Sequence, residues 1–319
     1  MARVFDCFPF FNELDILEIR LHELSPVVDK FVLAEATTTF SGAPKPLYFL
    51  KNRDRFAEFA DRIVHVVVDD MPGDVRSGWV RQTHQRNALL RGLSDARPED
   101  LILLSDVDEI TRGSAIAAAA ARPADALEIL CFELRMYNYF VNFEMDKMWL
   151  RSGPRAVRRR LLRNFSSLRT VRGPSKEPLR NLLRGIRTWR AMGRPLRRVV
   201  VRDAGWHFTY LGGADAVRTK LLTFIDSEKV SDEMLDSQHL AACISAGLPM
   251  NRRRDTSLTY RPLDQSFPHY LLENRERFAH LILQATAIND HIKFSYFRQG
   301  VLSRPLMKRS PTNPAAPSA

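Results

Sequence analysis

The 319-residue chain contains only three cysteines, Cys7, Cys131 and Cys243, and they lie far apart in the sequence. Their odd number and wide spacing argue against a disulfide scaffold or a cysteine metal site, so we expect reduced thiols that behave as small buried hydrophobes. No apolar stretch reaches the roughly 18 residues of a membrane span. Residues 1–6 lead directly into a predicted strand, so no signal peptide is expected. These absences predict a cytoplasmic location.

Glycine-rich phosphate loops are also missing from the sequence. The chain has neither the loop of P-loop NTPases nor the fingerprint of dinucleotide dehydrogenases, which disfavours both classes. Hydrophobic residues make up 45% of the chain and charged residues 27%, which are values typical of globular proteins. The length is sufficient for one large α/β domain or two small ones.

Positive charge is distributed unevenly along the chain. Residues 151–202, the Arg-rich segment, contain 17 Lys and Arg and one acid, Glu177, so the segment carries +16 while the rest of the chain sums to −5. Such a cluster attracts the phosphates of an anionic membrane, a nucleotide or a nucleic acid, or an anionic glycan. The alternative is a solvated, poorly packed insertion. Residues 303–319 are rich in Pro, Ser and Ala, which predicts a disordered tail.

Strands and helices alternate in the predicted pattern, which indicates an α/β fold with a mostly parallel central sheet flanked by helices. A first helix should begin after Asn12, as N-cap, and end before Pro26. The other predicted helices are 56–60, 79–93, 115–121, 214–224, 235–246 and 270–288. The predicted strands are 4–8, 30–36, 63–68, 127–134 and 199–210, together with the run that begins at residue 101.

That last run, 101–110, carries the most informative chemistry. It is apolar and ends in Asp106-Val107-Asp108. Because alternate strand residues share a face, the two carboxylates should lie together at the carboxyl end of a strand, where ligands bind in open α/β sheets. Paired carboxylates suit Mg²⁺ or Mn²⁺, which often also takes substrate phosphate oxygens, as in a nucleotide-sugar site. The alternative is a polar strand terminus without a ligand.

Other residues could complete such a site. Arg86, followed by Asn87, lies in the helix before the Asp-x-Asp run and could neutralise a diphosphate, or be an ordinary surface arginine. Glu35 ends the second predicted strand and could accept hydrogen bonds from a base or ribose, or be a satisfied strand-end acid. His207 could complete a Mn²⁺ shell begun by Asp108, or be a buried structural histidine.

Trp206, beside His207, could stack on a sugar, or both residues could be core packing. Asp226 and Glu228 follow a predicted helix and could supply a general base, although acids at this spacing are most often simply exposed.

Several of these segments together resemble glycosyltransferase family 17. The resemblance runs in order over about residues 3–285. Its motifs are 4–15, 31–35, 39–47, 65–72, 85–87, 105–110, 205–213 and 269–278.

The resemblance implies a GT-A-type fold, an inverting mechanism, UDP-GlcNAc as donor, a glycan acceptor and a divalent metal. Carried onto this chain, Asp106 and Asp108 would hold the metal and the diphosphate, with His207 near them, and Asn12 and Glu13 would contact the donor. The polar motif after the Trp-His strand departs from the family's usual form. It is present as residues 223–228, which retain Glu228 as the preferred base and have Asp226 at a His-type position.

The sequence therefore predicts a single domain over residues 1–290 with an Arg-rich insertion at about 151–202. We expect a β-1,4-N-acetylglucosaminyltransferase-like enzyme, with peripheral contact between the Arg-rich segment and an anionic inner membrane face. No nucleic-acid partner is expected. The alternatives are a metal-dependent nucleotidyl- or phosphotransferase, which would use the same carboxylates, and a non-enzymatic basic module that binds membranes or nucleic acid.

Overall fold

Two sheets form the framework of the structure, a computed structural model that describes residues 2–73, 75, 77–223, 230–250 and 257–284. The strands are β1 (Val4–Phe10), β2 (Lys30–Ala36), β3 (Ile63–Val68), β4 (Leu101–Leu104), β5 (Glu109–Thr111), β6 (Glu128–Phe132), β7 (Leu134–Asn138), β8 (Phe143–Leu150), β9 (Arg155–Arg158), β10 (Arg197–Val201), β11 (Gly205–Thr209) and β12 (Leu258–Tyr260). The first sheet has the order β10-β6-β9-β4-β1-β2-β3 and the second β12-β8-β7-β11-β5.

In the first sheet, every neighbouring pair is parallel except the two that involve β9. Helices accompany the strands. They are α1 (Leu14–Leu24), α2 (Tyr48–Lys51), α3 (Gly78–Ala88), α4 (Gly113–Ala120), α5 (Phe165–Thr170), α6 (Pro178–Met192), α7 (Gly213–Thr223), α8 (Asp232–Leu235), α9 (Ser237–Ser245) and α10 (His269–Glu273). The α/β class with a mostly parallel central sheet is therefore confirmed.

The core lies on both faces of the first sheet because its central strands are apolar on both sides. In β1, Val4 and Phe8 belong to one buried cluster, and Phe5 and Cys7 belong to the other. This arrangement follows from the alternation of strand side chains. The three cysteines are free and buried, as predicted. Within the described residues, no helix combines the length and hydropathy that a membrane span requires.

The predicted strand 199–210 is two strands that belong to different sheets. β10 ends at Val201, and β11 begins at Gly205. Between them, Asp203 (φ 47°) and Gly205 (φ 151°) adopt positive φ and redirect the chain. A Cβ atom on Gly205 would lie 2.1 Å from the carbonyl oxygen of Ile110, so only glycine allows this close approach of β11 to β5.

The Arg-rich segment is largely part of the fold, so the alternative of a solvated, poorly packed insertion is wrong for much of it. Its strand β9 lies inside the first sheet, between β6 and β4. Arg155 is fully buried, and its guanidinium donates to the carbonyl oxygens of Val171, Gly153, Pro154 and Arg151. A buried arginine satisfied by carbonyls does not contribute to a solvated basic surface. The single domain over 1–290 remains a prediction.

Helix ends also differ from the sequence pattern. Of the predicted helix 270–288, residues 270–284 are described: they contain the end of the short α10, then turns, and Ala279–Leu281 forms a 3-10 helix. The N-cap of α1 is Glu13, not Asn12, and it makes no side-chain capping hydrogen bond. The predicted tail 303–319 lies outside the described residues.

One buried arginine joins the first helix to the sheet. Arg20 of α1 and Asp6 of β1 are both completely buried and lie 2.6 Å apart (Nη2 to Oδ1). Arg20 also donates to the hydroxyl of Ser105 and to the carbonyl oxygens of Val107 and Glu109, at 2.5, 3.2 and 2.9 Å. The guanidinium therefore fixes the turn between β4 and β5 relative to α1.

Removing this arginine should destabilise the fold strongly. Arg20→Met leaves the Asp6 carboxylate buried without a partner, which costs about 3–5 kcal/mol, whereas replacing both partners by apolar residues costs far less. Urea unfolding of Arg20→Met, Asp6→Leu and the double variant measures this. As a control, Arg53→Met should change stability by at most about 1 kcal/mol, because the pair of Arg53 and Asp54 is exposed. Additive losses in the double variant would contradict the proposed pairing.

Candidate active site

The Asp-x-Asp residues lie in a turn rather than on a strand. β4 ends at Leu104, and the chain turns through Asp106 and Asp108 before β5 begins. The turn is closed by the backbone N–H of Glu109, which donates to the carbonyl of Asp106, and by the Asp106 N–H, which donates to the Glu109 carboxylate. The prediction that the two carboxylates share a strand face is therefore wrong in detail. Both nevertheless line the same cavity.

This cavity has a volume of about 400 Å³, within the range of small-molecule sites. It opens beside the turn at the carboxyl end of β4. Its wall combines aromatic or aliphatic side chains with charged and polar ones. The lining residues include Phe10, Phe11, Phe40, Met136 and Leu150, and Glu13, Lys45, Gln85, Arg169, His207, Tyr210 and Lys220.

Two arginines neutralise Asp106. Arg169 of α5 donates from Nη2 to Oδ2 at 2.8 Å, and Arg86 of α3 donates from Nη2 to Oδ1 at 3.3 Å. Burial raises the pKa of Asp106, but the charges of Arg169 and Arg86 outweigh that effect and lower the pKa to about 2. The carboxylate is therefore ionised at neutral pH.

Asp108 has a different cationic partner. Lys220 of α7 donates from Nζ to Oδ2 at 2.7 Å, and Nε2 of His207 lies 3.6 Å from Oδ1. Burial raises the pKa of Asp108, whereas Lys220 and His207 lower it, and the net shift is downward. Burial lowers the pKa of Lys220, but Asp108 and Glu13 raise it by more, so the lysine stays charged.

Arg169 and Lys220 were not singled out from the sequence. Arg169 also contacts both carboxylate oxygens of Glu109, at 2.7 and 2.6 Å, so one guanidinium bridges two acids of the turn. It is one of 17 basic residues in the Arg-rich segment, and composition cannot distinguish it from the others. A local signal does exist, since Asn164 caps α5 by accepting from the N–H of Ser167.

The structure places some of the predicted donor-binding residues away from the cavity. Trp206 is 1% exposed, and its Nε1 donates to the carbonyl of Ser266, so the expectation that it stacks on a sugar is wrong. Glu35 is fully buried and accepts from the N–H of Phe49. Asn87 accepts from the N–H of Ser166. These three side chains are held by the fold.

Other predicted residues do lie at the site. Asn12 and Glu13 line a neighbouring cavity of about 310 Å³ that shares Asp108 and Lys220 with the first, and Glu13 lines both cavities. Arg86 contacts Asp106 (Nη2 to Oδ1, 3.3 Å). The predicted general bases, Asp226 and Glu228, lie outside the described residues.

The predicted metal ligands are only partly assembled. In the described part of the chain, no three His, Cys, Asp or Glu side chains are arranged to hold a metal ion. Asp106 is engaged by two arginines, whereas Oδ1 of Asp108 lies 3.6 Å from Nε2 of His207; the other ring nitrogen, Nδ1, is buried and has no hydrogen-bond partner among the described residues. These two side chains fit a divalent cation that takes its remaining ligands from a substrate and water. The assignment of Asp106, Asp108 and His207 as metal ligands remains a prediction.

Sequence comparison identifies the family. The sequence model of glycosyltransferase family 17 matches residues 1–164, about half of the chain. The chain belongs to glycosyltransferase family 17. The topology described above agrees with the predicted α/β class, with a mostly parallel central sheet flanked by helices.

Curated relatives carry the name β-1,4-mannosyl-glycoprotein 4-β-N-acetylglucosaminyltransferase. The human protein is 25% identical over 302 residues, covering 88% of this chain and 55% of the relative. The mouse protein is 24% identical over 307 residues, covering 88% of this chain and 54% of the relative. The chain thus spans about half the length of the curated relatives it matches.

The solved structures are less similar to the chain in sequence than the curated relatives are. Glucosyl-3-phosphoglycerate synthase from Mycobacterium tuberculosis, in complex with Mn²⁺, UDP and glucosyl-3-phosphoglycerate, gives a TM-score of 0.39 at 15% identity and covers 85% of this chain and 92% of that one. The 4-diphosphocytidyl-2C-methyl-D-erythritol synthase from Anaerococcus prevotii gives 0.32 at 12% identity, covering 63% and 87%.

The ion pairs of Asp106 should make the protein acid-sensitive. A carboxylate whose pKa falls from 3.8 to about 2 on folding contributes stability above pH 4 and loses that contribution as the pH falls to 2. The difference in unfolding free energy between wild type and Asp106→Asn should therefore shrink as the pH is lowered from 5 to 2. Urea unfolding at several pH values measures it. A difference that stays constant would contradict the pairing.

The neighbours Trp206 and His207 should respond differently to substitution. Trp206→Ala removes a buried ring that packs against Phe208 and lies under the guanidinium of Arg112, so we expect a loss of about 3–5 kcal/mol. His207→Ala should cost clearly less, because its side chain forms the cavity wall and is 15% exposed. Thermal and urea unfolding of both variants measures this. Equal losses would show that His207 is a core residue.

Proposed function

We propose that this chain is an inverting, metal-dependent glycosyltransferase that moves GlcNAc from UDP-GlcNAc to a glycan acceptor. The observation that carries the proposal is the convergence of Asp106 and Asp108 with Arg169 and Lys220 around one cavity, in a chain that belongs to family 17. The names of the curated relatives support the donor and the acceptor class. A cytoplasmic location is part of the same proposal.

The charges around the cavity support a need for a metal. Among the described residues, four acids line the cavity: Glu13, Asp106, Asp108 and Glu109. Four cations oppose them: Lys45, Arg169 and Lys220 line the cavity, and Arg86 contacts Asp106. A bound diphosphate would add negative charge to this balanced set. One divalent cation, Mn²⁺ or Mg²⁺, would compensate for it.

The residues of the site would then have separate roles. Asp108 and His207 would hold the cation, whose chemistry is to offset charge on the departing UDP. Arg169 and Lys220 would fix the turn and present N–H groups to the diphosphate. Lys45 is positioned for the same contact, since it lines the cavity. Its side chain is 6% exposed, and its Nζ lies 4.0 Å from the carboxylate of Glu35.

The step that breaks the donor's glycosidic bond requires a base for the acceptor hydroxyl. The resemblance to the family favours Glu228 for this role, with Asp226 as the second candidate. In the inverting reaction the acceptor oxygen would attack the anomeric carbon as its proton passes to this carboxylate, and UDP would leave from the opposite face.

The test is release of UDP from UDP-GlcNAc, with and without Mn²⁺, and with a pool of glycan acceptors. Asp108→Asn should lower turnover by roughly a thousandfold or more, because loss of the cation site removes several kcal/mol of transition-state stabilisation. Asp70→Asn is the matched control. Asp70 also contacts an arginine and a histidine, Arg91 and His84, but lies outside the cavity.

Three outcomes would contradict the proposal. Pyrophosphate release from a nucleoside triphosphate, without UDP release from any nucleotide sugar, would favour the nucleotidyltransferase alternative. Full activity of Asp108→Asn without added metal would show that the site is misassigned. Equal losses in Asp108→Asn and Asp70→Asn would show that the effect is general to the fold.

A further inference from the structure

Helix α6 presents an apolar stripe to solvent. Five large hydrophobic residues recur at helical spacing along one side of it, and each is at least 36% exposed. This apolar stripe consists of Leu179, Leu182, Leu183, Ile186 and Trp189. Leu179 is 70% exposed, and Trp189 is 53% exposed. Single exposed hydrophobic residues are common, but a contiguous row on one helix indicates a binding surface.

A different side of α6 holds the helix to the body of the protein. Thr188 and Met192 are buried, and Nη2 of Arg198 on β10 donates to the side-chain oxygen of Asn181 at 2.7 Å. The spacing of Asn181, Thr188 and Met192 places them on one face of the helix, about a third of a turn from the apolar stripe. The stripe is therefore not needed for packing α6 in this structure.

Basic residues border the stripe. Helix α6 contains four arginines and no acid. In the part of the chain that the structure describes, Arg187, Arg190 and Arg194 form no ion pair, and Arg180 pairs only with Glu177, the residue before the helix. A cavity of about 590 Å³ beside α6 adds further positive charge, since two acids, Glu133 and Glu177, and six basic residues are the charged groups among its described lining residues. The basic residues are Arg151, Arg172, Lys176, Arg180, Arg184 and Arg202. Burial and the neighbouring cations Arg169 and Arg184 lower the pKa of Arg172, as expected where cations crowd together.

We propose that α6 docks this protein on an anionic lipid bilayer, with the apolar stripe in the interfacial region and the arginines on lipid phosphates. An apolar face that carries Trp and Leu beside a row of arginines is the pattern of helices that lie in a membrane interface. Charge selects the lipid over a second copy of the chain, because two-fold pairing through α6 would bring the arginine rows together. Nucleic acid would use the arginines but leave the apolar stripe in water.

The test is flotation of the full chain with vesicles of phosphatidylcholine alone, or of phosphatidylcholine with phosphatidylglycerol, without donor or metal. Binding should require the anionic lipid and weaken as salt rises, since exposed charges are screened beyond about 8 Å at physiological ionic strength. Trp189→Glu should reduce partitioning at least about tenfold, because it places a charge in the apolar face. Arg187→Glu should also reduce partitioning and flatten the salt dependence.

Trp79→Glu is the matched control, since Trp79 is 50% exposed and lies on α3, away from the stripe. Its binding should equal that of wild type. Thermal melts should show that all three variants are folded. A failure of the membrane-docking proposal would leave the proposed glycosyltransferase function unaffected, because vesicle binding is measured without turnover.

Several outcomes would overturn the proposal. These are equal binding to neutral and anionic vesicles, no binding to either, and equal behaviour of Trp189→Glu and Trp79→Glu. A dimer in gel filtration that Trp189→Glu converts to a monomer would assign the stripe to self-association instead. Retention on RNA but not on vesicles would assign the arginines to nucleic acid.

Discussion

The buried guanidinium of Arg20 is the constraint on which the candidate site depends. Removing a charge from water is costly unless its donors are satisfied, and Arg20 satisfies them with Asp6, Ser105 and carbonyls of the turn after β4. These hydrogen bonds hold the backbone of the turn against α1. The side chains of Asp106 and Asp108 line the cavity, where they contact Arg169, Arg86 and Lys220.

The same turn connects two sheets. β4 lies in the first sheet and β5 in the second, and the chain makes a similar passage between β10 and β11. β11 pairs with β5 directly, with His207 opposite Glu109. His207 and the Asp-x-Asp turn are therefore brought together by strand pairing across the junction, and their closeness does not depend on a ligand. Such preorganisation reduces the cost of ordering the site when a substrate binds.

Local patterns predicted the features that depend on neighbouring residues in the sequence. The bounds of β2 and β3 agree with the prediction to the residue, because apolar runs flanked by turns are local signals. The Asp-x-Asp pair was found for the same reason. The burial of Trp206 was only one of two alternatives, because it depends on Arg112 and Ser266, which are distant in the sequence and are brought to the ring only by the tertiary structure. Glu35 was interpreted as a ligand, but its carboxylate is used by the backbone of Phe49.

The Arg-rich segment shows why charge composition alone predicts little. The net charge of +16 in this segment comes mostly from arginines, and these arginines have different roles. Arg155 is buried among carbonyl oxygens, and Arg169 is bound to Asp106 and Glu109, so these two act within the fold. Arg187 and Arg190 are exposed on helix α6, where they contribute positive charge to the protein surface. α5 connects the two roles, because Arg169 reaches the candidate site while the adjacent Thr170 lines a groove against α6. The segment is therefore both a structural element of the site and the source of the basic surface beside it.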